Sequence, residues 1–250
     1  MPERLVYLAG AMSRTGDGTR LLAGLLRYLG AQAGLDDATE ASYRSTADGQ
    51  PLPYDWSTTS QPLVESVEAI GRILGRHRRE LGLSGRLHLL GWSLGGAVLF
   101  EAALRLFDAD PAWREAFASI VTLSSPLNGC DVDGVDALGM LAAGQAGREL
   151  CARGADPAHR RRVEDGARRL RAAGVRLLTL GAADDAIVTP TDSIVAAPGE
   201  PIERYVLRSK PRLGADFGER HLGHGALLHD PTAWRLVLRA VTGDEERRVV

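Results

Sequence analysis

The chain has 250 residues, 44% of them apolar, so it is long enough to bury a core as one large domain or two small ones. Its 30 basic and 32 acidic side chains nearly cancel, which argues against nucleic acid or an anionic membrane surface as a partner of the whole chain. No stretch approaches the roughly 18 apolar residues of a membrane span, and the first residues do not resemble a signal peptide. We therefore expect a soluble, cytoplasmic protein, in which Cys130 and Cys151 are reduced and structural.

Short apolar runs alternate with helical patterns along most of the chain. The predicted strands are Leu5–Leu8, Leu87–Leu90, Ile120–Leu123, Val175–Leu180 and Ile202–Leu207. The predicted helices are Leu21–Leu29, Leu63–Leu74 with Ser60 as its N-cap, Ala97–Leu106 and a last helix that begins at Asp230-Pro231. Residues 36–59 are polar and are expected to hold one weak strand and a loop. The alternation predicts an α/β fold, a parallel sheet with helices on both faces, in a single domain over residues 1–250.

Residues 131–173 lie between two predicted strands and carry no strand signal of their own. We expect two or three helices there, the last capped by Asp156 with Pro157 at its first position. One crossover helix is enough to join two parallel strands, so the segment is a candidate helical cap over a site. The alternative is an ordinary crossover with an additional surface helix.

The segment from Gly91 to Gly95 fits the pattern G-x-S-x-G, which marks a nucleophile when it follows a strand and opens a helix. Both conditions hold here. So tight a turn strains its central residue, and Gly91 and Gly95 remove side chains that would clash across it. Ser93 is then presented near a helix N-terminus, where the helix dipole and free N–H groups favour a developing oxyanion. The pattern predicts Ser93 as a nucleophile.

A serine hydroxyl is a poor nucleophile unless a base accepts its proton, and histidine is the usual base. The six histidines are His77, His88, His159, His221, His224 and His229. His88 lies inside a predicted strand and is interpreted as a core residue. His77 and His159 lie on arginine-rich helices and are expected to be solvated. The remaining three form a cluster just before the last helix.

Within that cluster, His224 lies between two glycines and has the most loop-like context, while His221 and His229 stay open as alternatives. An acid that orients the base is expected at the end of the preceding strand, where Asp184 and Asp185 compete.

Taken together, these segments resemble the lipase-like branch of the α/β-hydrolase superfamily, in particular bacterial lipases and the lecithin:cholesterol acyltransferase group. The segments that carry the resemblance are Tyr7-Leu8-Ala9-Gly10-Ala11, Pro53-Tyr54-Asp55-Trp56, Gly91-Trp92-Ser93-Leu94-Gly95-Gly96, Thr122-Leu123-Ser124-Ser125-Pro126-Leu127-Asn128-Gly129, Asp185-Ala186-Ile187-Val188 and His224-Gly225-Ala226-Leu227-Leu228. They span nearly the whole chain, and the resemblance implies an α/β-hydrolase fold with a triad of serine, acid and histidine in that order.

The resemblance also implies roles for individual residues. The D-x-x-V spacing makes Asp185 the acid that orients His224. The implied oxyanion donors are the backbone N–H groups of Leu94 and of either Ala11 or Met12. The candidate substrate-pocket residues are Trp92, Tyr54, Trp56, Pro126 and Leu127.

The sequence therefore predicts a serine acyl hydrolase or acyltransferase that acts on a small-molecule ester or thioester through an acyl-serine intermediate. Ala9 and Trp92 replace two histidines that are usual in the family, which favours an intracellular esterase, thioesterase or transacylase over a secreted lipase. One alternative is a thioesterase or transacylase that works on an acyl group bound to a carrier protein, and another is a non-catalytic binding protein with the same fold. The arginine-rich stretch from His159 to Arg171 is either a solvated face or a docking surface for an acyl carrier protein. No metal and no cofactor are predicted, because no metal-ligand spacing or phosphate loop is present.

Overall fold

The computed structural model describes residues 2–130, 144–195, 203–208 and 223–243. The strands in these ranges are β1 (Glu3–Leu8), β2 (Ala38–Glu40), β3 (Arg86–Trp92), β4 (Phe117–Leu123), β5 (Arg176–Ala182) and β6 (Glu203–Leu207). The helices are α1 (Asp17–Ala33), α2 (Leu63–Leu81), α3 (Leu94–Ala109), α4 (Trp113–Ala116), α5 (Gly144–Gly154), α6 (Pro157–Ala172), α7 (Pro190–Ser193) and α8 (Pro231–Thr242). Two short 3-10 turns, Thr58–Ser60 and Ala226–His229, complete the described secondary structure.

The described strands form one sheet of six, in the order β2-β1-β3-β4-β5-β6, and every neighbouring pair is parallel. The chain runs from β1 outward to β2 and then returns to place β3 on the other side of β1. Such a reversal leaves a crevice at the carboxyl ends of the two adjacent strands, where open α/β sheets bind their ligands. The ends of β1 and β3 are in register there, with Leu8 opposite Gly91.

Helices cover both faces of the sheet, as the sequence predicts. Alternate side chains of each strand point to opposite faces, so Leu89 and Leu90 of β3 belong to two separate clusters of buried apolar residues. One cluster packs α2, α3 and α6 against the sheet, and the other packs α1 and α8 against the opposite face. Among the described residues, no helix is both long and apolar enough to cross a bilayer.

The predicted N-cap of α2 at Ser60 is wrong. Ser60 ends the first 3-10 turn, where its hydroxyl donates to the carbonyl of Trp56, and α2 begins at Leu63. The N–H of Leu63 donates instead to the carboxylate of Glu149 on α5, at 3.1 Å. The helix start is therefore satisfied by a residue that is distant in sequence, which local capping patterns do not reveal.

The prediction that His77 and His159 are solvated is also wrong. His77 is 5% exposed and accepts from the Arg4 guanidinium at Nδ1, while His159 is 9% exposed and donates from Nε2 to the carbonyl of Leu127. Burial lowers the pKa of both imidazoles.

The core assignment of His88 is confirmed, since its side chain is fully buried. Its Nδ1 lies 2.9 Å from the Ser119 hydroxyl on the neighbouring strand, and burial lowers its pKa to about 4. The imidazole is therefore neutral at neutral pH.

Helices α5 and α6 cover the described part of the candidate cap. Helix α6 packs Val163, Ala167 and Leu170 into the core against α3 and β5, so it occupies the position of an ordinary crossover helix. Helix α5 packs against α6, α2 and the first 3-10 turn. Residues 131–143 lie outside the described residues, and a cap over residues 131–173 stays a prediction.

The N-cap of α6 is confirmed where the sequence predicts it, because the Asp156 carboxylate accepts from the N–H of Ala158 at 2.8 Å and Pro157 follows at the first helical position. Replacing Asp156 with alanine leaves that N–H without a partner. We expect the melting temperature to fall by about 2–4 °C, the scale of a lost N-cap in a chain of this size. The exposed Arg161→Ala on the same helix is the control, and an equal fall in both variants would contradict the capping role.

Candidate active site

Ser93 sits in a strained turn between β3 and α3. Its backbone has φ 56° and ψ −135°, a conformation that L-residues rarely adopt, and its N–H donates to the carbonyl of Leu123 at 2.9 Å. A Cβ atom at Gly91 would lie 2.2 Å from the Cα of Gly96, and one at Gly95 would lie 2.3 Å from the carbonyl oxygen of Ala9. Glycine is therefore required at both positions, for the steric reason that the sequence pattern implies.

The turn that follows β1 lies directly against Ser93. A Cβ atom at Gly10 would be 2.6 Å from the Cβ of Ser93 and 3.0 Å from its hydroxyl oxygen. Because β1 and β3 are neighbours in the sheet, the first loop of the chain meets the serine at the crevice between them.

Three side chains from three loops form one hydrogen-bonded chain. The Ser93 Oγ lies 2.8 Å from Nε2 of His224, and Nδ1 of His224 lies 2.8 Å from Oδ2 of Asp185. An ionised carboxylate only accepts hydrogen bonds, so the Nδ1 proton points to Asp185 and Nε2 of the neutral imidazole accepts from the serine. The structure thus brings together the three residues that the sequence singles out, in an arrangement able to activate the serine hydroxyl.

The two competing aspartates are in different environments. The Asp185 side chain is completely buried, and its second oxygen accepts from the N–H groups of Ile187 and Val188, both at 2.9 Å. Asp184 is exposed. Gly223 has φ +70°, and a Cβ atom there would lie 2.2 Å from the carbonyl oxygen of Asp184, so the histidine loop packs closely on this turn. The D-x-x-V spacing therefore has a physical basis, because the acid carboxylate caps its own turn while it faces the imidazole.

The other two histidines of the cluster, His221 and His229, are the alternative candidates for the base. His229 is exposed at the end of the second 3-10 turn. His221 lies outside the described residues.

Trp92, the residue before the serine, supports the His224 loop. Its indole N–H donates to the His224 carbonyl at 3.1 Å, and its ring centroid is 5.2 Å from that of the imidazole.

The predicted pocket residues are dispersed. Trp92 and Tyr54 are buried with their polar atoms hydrogen-bonded, whereas Trp56 is 64% exposed. Pro126 and Leu127 are buried in the turn after β4, and Leu127 lines a cavity of about 750 Å³ between α3 and α6 that Ser93 does not line. Of the set, Trp56 alone leaves a large apolar surface open to solvent.

The backbone N–H groups of Ala11 and Met12, the two alternatives for the second oxyanion donor, differ in their hydrogen bonding. The N–H of Met12 donates to Thr59 Oγ1 at 3.0 Å, so the N–H of Ala11 is left as the candidate on this turn. Leu94 is the first residue of α3, where helical N–H groups have no intrahelical partner. Sequence reasoning missed Thr59, which is 47 positions from its partner and carries no motif that could have revealed it.

The two cysteines lie outside the hydrogen-bonded chain of Ser93, His224 and Asp185. Both cysteines are free thiols, and burial raises the pKa of each. In the part of the chain that the structure describes, no three histidine, cysteine or acidic side chains are grouped as metal ligands would be.

The chain has the α/β-hydrolase fold, as its likeness to solved structures shows. It resembles a lipase-esterase related protein from Clostridium acetobutylicum at 10% identity, over 94% of this chain and 92% of that one, with a TM-score of 0.56. It resembles phospholipase PlaB from Legionella pneumophila at 12% identity, over 96% of this chain and 62% of that one, with a TM-score of 0.60. It also resembles the thioesterase RedJ of the prodiginine biosynthetic pathway in Streptomyces coelicolor at 20% identity, over 96% and 85% of the two chains, with a TM-score of 0.50. No protein-family model and no curated protein matches the sequence.

The two aspartates give a paired prediction. Asp185→Asn is expected to lower kcat by about 100-fold or more, because an amide favours the wrong imidazole tautomer. The exposed Asp184→Asn carries the same chemical change and is expected to stay within about threefold of wild type. Steady-state kinetics on an activated ester measure both. A larger loss of kcat in Asp184→Asn than in Asp185→Asn would show that Asp184 is the acid that orients His224.

The histidine cluster gives a second comparison. His224→Ala is expected to lower kcat by about 10³-fold or more, because the serine then has no base within hydrogen-bonding distance. His221→Ala and His229→Ala are expected to keep most of the activity. If His224→Ala kept its activity and one of the other two variants lost turnover, the histidine replaced in that inactive variant would be the base instead.

Proposed function

We propose that this protein is a serine acyl hydrolase or acyltransferase that cleaves an ester or thioester through an acyl-serine intermediate. The observation that carries the proposal is the chain of two 2.8 Å hydrogen bonds from Ser93 through His224 to Asp185. It lies at the carboxyl edge of a parallel sheet, beside a helix N-terminus. The lipase, esterase, phospholipase and thioesterase named among the structural neighbours support the same broad chemistry.

In the first half of the proposed reaction, Ser93 Oγ attacks the acyl carbonyl carbon while His224 Nε2 accepts the hydroxyl proton. The carbonyl electron pair moves onto oxygen, where the N–H groups of Leu94 and Ala11 stabilise the charge. The tetrahedral intermediate collapses, and the alcohol or thiol leaves with the proton from Nε2. Asp185 remains ionised throughout and stabilises the imidazolium.

In the second half, water or another acceptor attacks the acyl-serine. His224 Nε2 takes the proton of the attacking group, and a second tetrahedral intermediate releases the acyl product. Ser93 leaves with the proton that His224 returns, so the enzyme is regenerated and all protons balance. The same residues serve hydrolysis and transfer, and the acceptor alone distinguishes them.

A carrier-protein substrate remains a prediction without an observation that favours it. Arg168 is paired with Asp165 at 2.7 Å, and Arg169 is paired with Asp108. These pairs reduce the positive charge that α6 could offer an acidic partner. The cytoplasmic location also remains a prediction.

The competing hypothesis is a non-catalytic binding protein with this fold. The reactivity of Ser93 distinguishes the two hypotheses. Wild type is expected to be labelled by a fluorophosphonate probe and to turn over a p-nitrophenyl ester or an alkyl thioester of the same acyl chain. Ser93→Ala is expected to lose the label and at least about 10³-fold in kcat, while its melting temperature is unchanged.

The matched control is Ser45→Ala, which removes a hydroxyl bonded to Arg72 outside the site and should keep full labelling. Probe adducts that map to any other serine, or equal turnover by wild type and Ser93→Ala, would contradict the proposed function.

A further inference from the structure

The carboxylate of Glu40, the last residue of β2, is surrounded by hydrogen-bond donors at the start of α1. Its donors are the N–H groups of Gly16 at 3.2 Å, Gly18 at 3.1 Å and Thr19 at 3.2 Å, and the hydroxyl of Thr19 at 2.8 Å. A Cβ atom at Gly18 would lie 2.9 Å from Glu40 Oε1, so glycine is what lets the carboxylate approach this closely. Sequence reasoning assigned no role to Glu40.

This contact supplies the N-cap that α1 lacks locally. The N-cap residue, Gly16, has φ 91° and no side chain that could accept a hydrogen bond. The N–H of Asp17 donates to the carbonyl of Arg14 at 2.9 Å, whereas the N–H groups of Gly18 and Thr19 donate to Glu40. A carboxylate there also interacts favourably with the positive end of the helix dipole. The cap is thus provided by the neighbouring strand rather than by the segment that leads into the helix.

The same carboxylate is connected to the turn that lies against Ser93. The hydroxyl of Tyr54 donates to Glu40 Oε1 at 3.4 Å and lies 3.4 Å from Ser13 Oγ, which gives its own proton to the carbonyl of Gly10 at 2.6 Å. Tyr54 and Ser13 are therefore in contact without a proton between their hydroxyl oxygens. The backbone of Tyr54 also exchanges hydrogen bonds with Thr15, at 2.7 and 3.0 Å. Burial raises the pKa of Tyr54, which keeps its hydroxyl protonated and able to donate.

The turn needs such support because its backbone is strained. Met12 has φ 60° although it is not a glycine. Strained residues persist only where their surroundings over-determine them. The hydroxyl of Tyr43 holds the start of the turn through the carbonyl of Ala9 at 2.6 Å, and Thr59 holds its middle through the N–H of Met12. Glu40 holds its far end through Gly16.

We propose that Glu40 is a positioning residue, which fixes the turn carrying the Ala11 N–H against Ser93 so that this N–H meets the developing oxyanion. The inference rests on the proposed acyl chemistry of Ser93. An oxyanion donor works only within about 2.7–3.1 Å of the charged oxygen, so a displacement of a few tenths of an ångström in the turn weakens it. Gly10 already contacts Ser93, and any movement of the turn therefore changes the position of Ala11 relative to the nucleophile.

The test compares an oxo ester with the thiono ester of the same acyl chain and leaving group, in wild type and in Glu40→Gln. The thiono sulfur accepts hydrogen bonds poorly, so the preference for the oxo ester measures how well the oxyanion donors are placed. In Glu40→Gln we expect kcat for the oxo ester to fall about tenfold with KM nearly unchanged, and kcat for the thiono ester to change by less than about twofold. The pH profile of kcat/KM should not shift, because the base is untouched.

Two further variants separate positioning from simple helix capping. Asp156→Asn removes a matched carboxylate from the N-terminus of α6, which is not bonded to the turn, and should leave the oxo-to-thiono ratio unchanged. Tyr54→Phe keeps the cap of α1 but removes the hydroxyl that donates to Glu40 and contacts Ser13. It should lower the oxo-to-thiono ratio of kcat, with the melting temperature near that of wild type. If Glu40→Gln does not fold, the Tyr54→Phe variant alone tests the inference.

An oxo-to-thiono ratio that stays at the wild-type value in both Glu40→Gln and Tyr54→Phe would overturn the inference and leave Glu40 as a structural cap. The proposed function is tested separately in the same assay, because Ser93→Ala removes turnover of both esters whatever Glu40 does.

Discussion

The close approach of α3 to β3 is the constraint on which the rest of the site depends. A backbone that turns from strand to helix within one residue forces Ser93 to a positive φ and brings Gly91 against Gly96. The strain is maintained because β3 lies between β1 and β4 in the sheet and α3 is buried along most of its length. The serine hydroxyl therefore projects from a rigid support, next to the N–H groups at the start of a helix.

The other parts of the site reach this serine because all of the described strands are parallel. The loops after β1 and β5 and the loop before α8 lie at the same edge of the sheet, so Gly10, Asp185 and His224 converge there. Each loop is in turn held by neighbours that take no part in the proposed chemistry, as Trp92 holds the His224 carbonyl. A mixed sheet would send some of these loops to the opposite edge.

The sequence predicted the features that depend on local periodicity and steric patterns. The five strands that the sequence predicted are short runs rich in apolar residues. The turn at Ser93 needs its glycines for steric reasons visible within five residues, and the Asp185 carboxylate caps its own turn within four. What the sequence could not predict depends on partners brought together by topology. Glu149 satisfies the start of α2 from 86 positions away, and Arg4 of β1 pairs with the buried His77. Glu40 belongs to the same class, since only the pairing of β2 with β1 brings it to α1.

The central claim is that Ser93 carries the acyl group during turnover, and trapping that species tests it most directly. Wild type is mixed with an ester whose acyl-enzyme hydrolyses slowly, quenched in acid, and digested for peptide mass spectrometry. The account predicts a mass increase equal to the acyl group on the peptide that contains Ser93, present in the steady state and lost as substrate is exhausted. Turnover with no acylated Ser93 peptide, or an acyl adduct on another residue that forms and decays at the turnover rate, would contradict it.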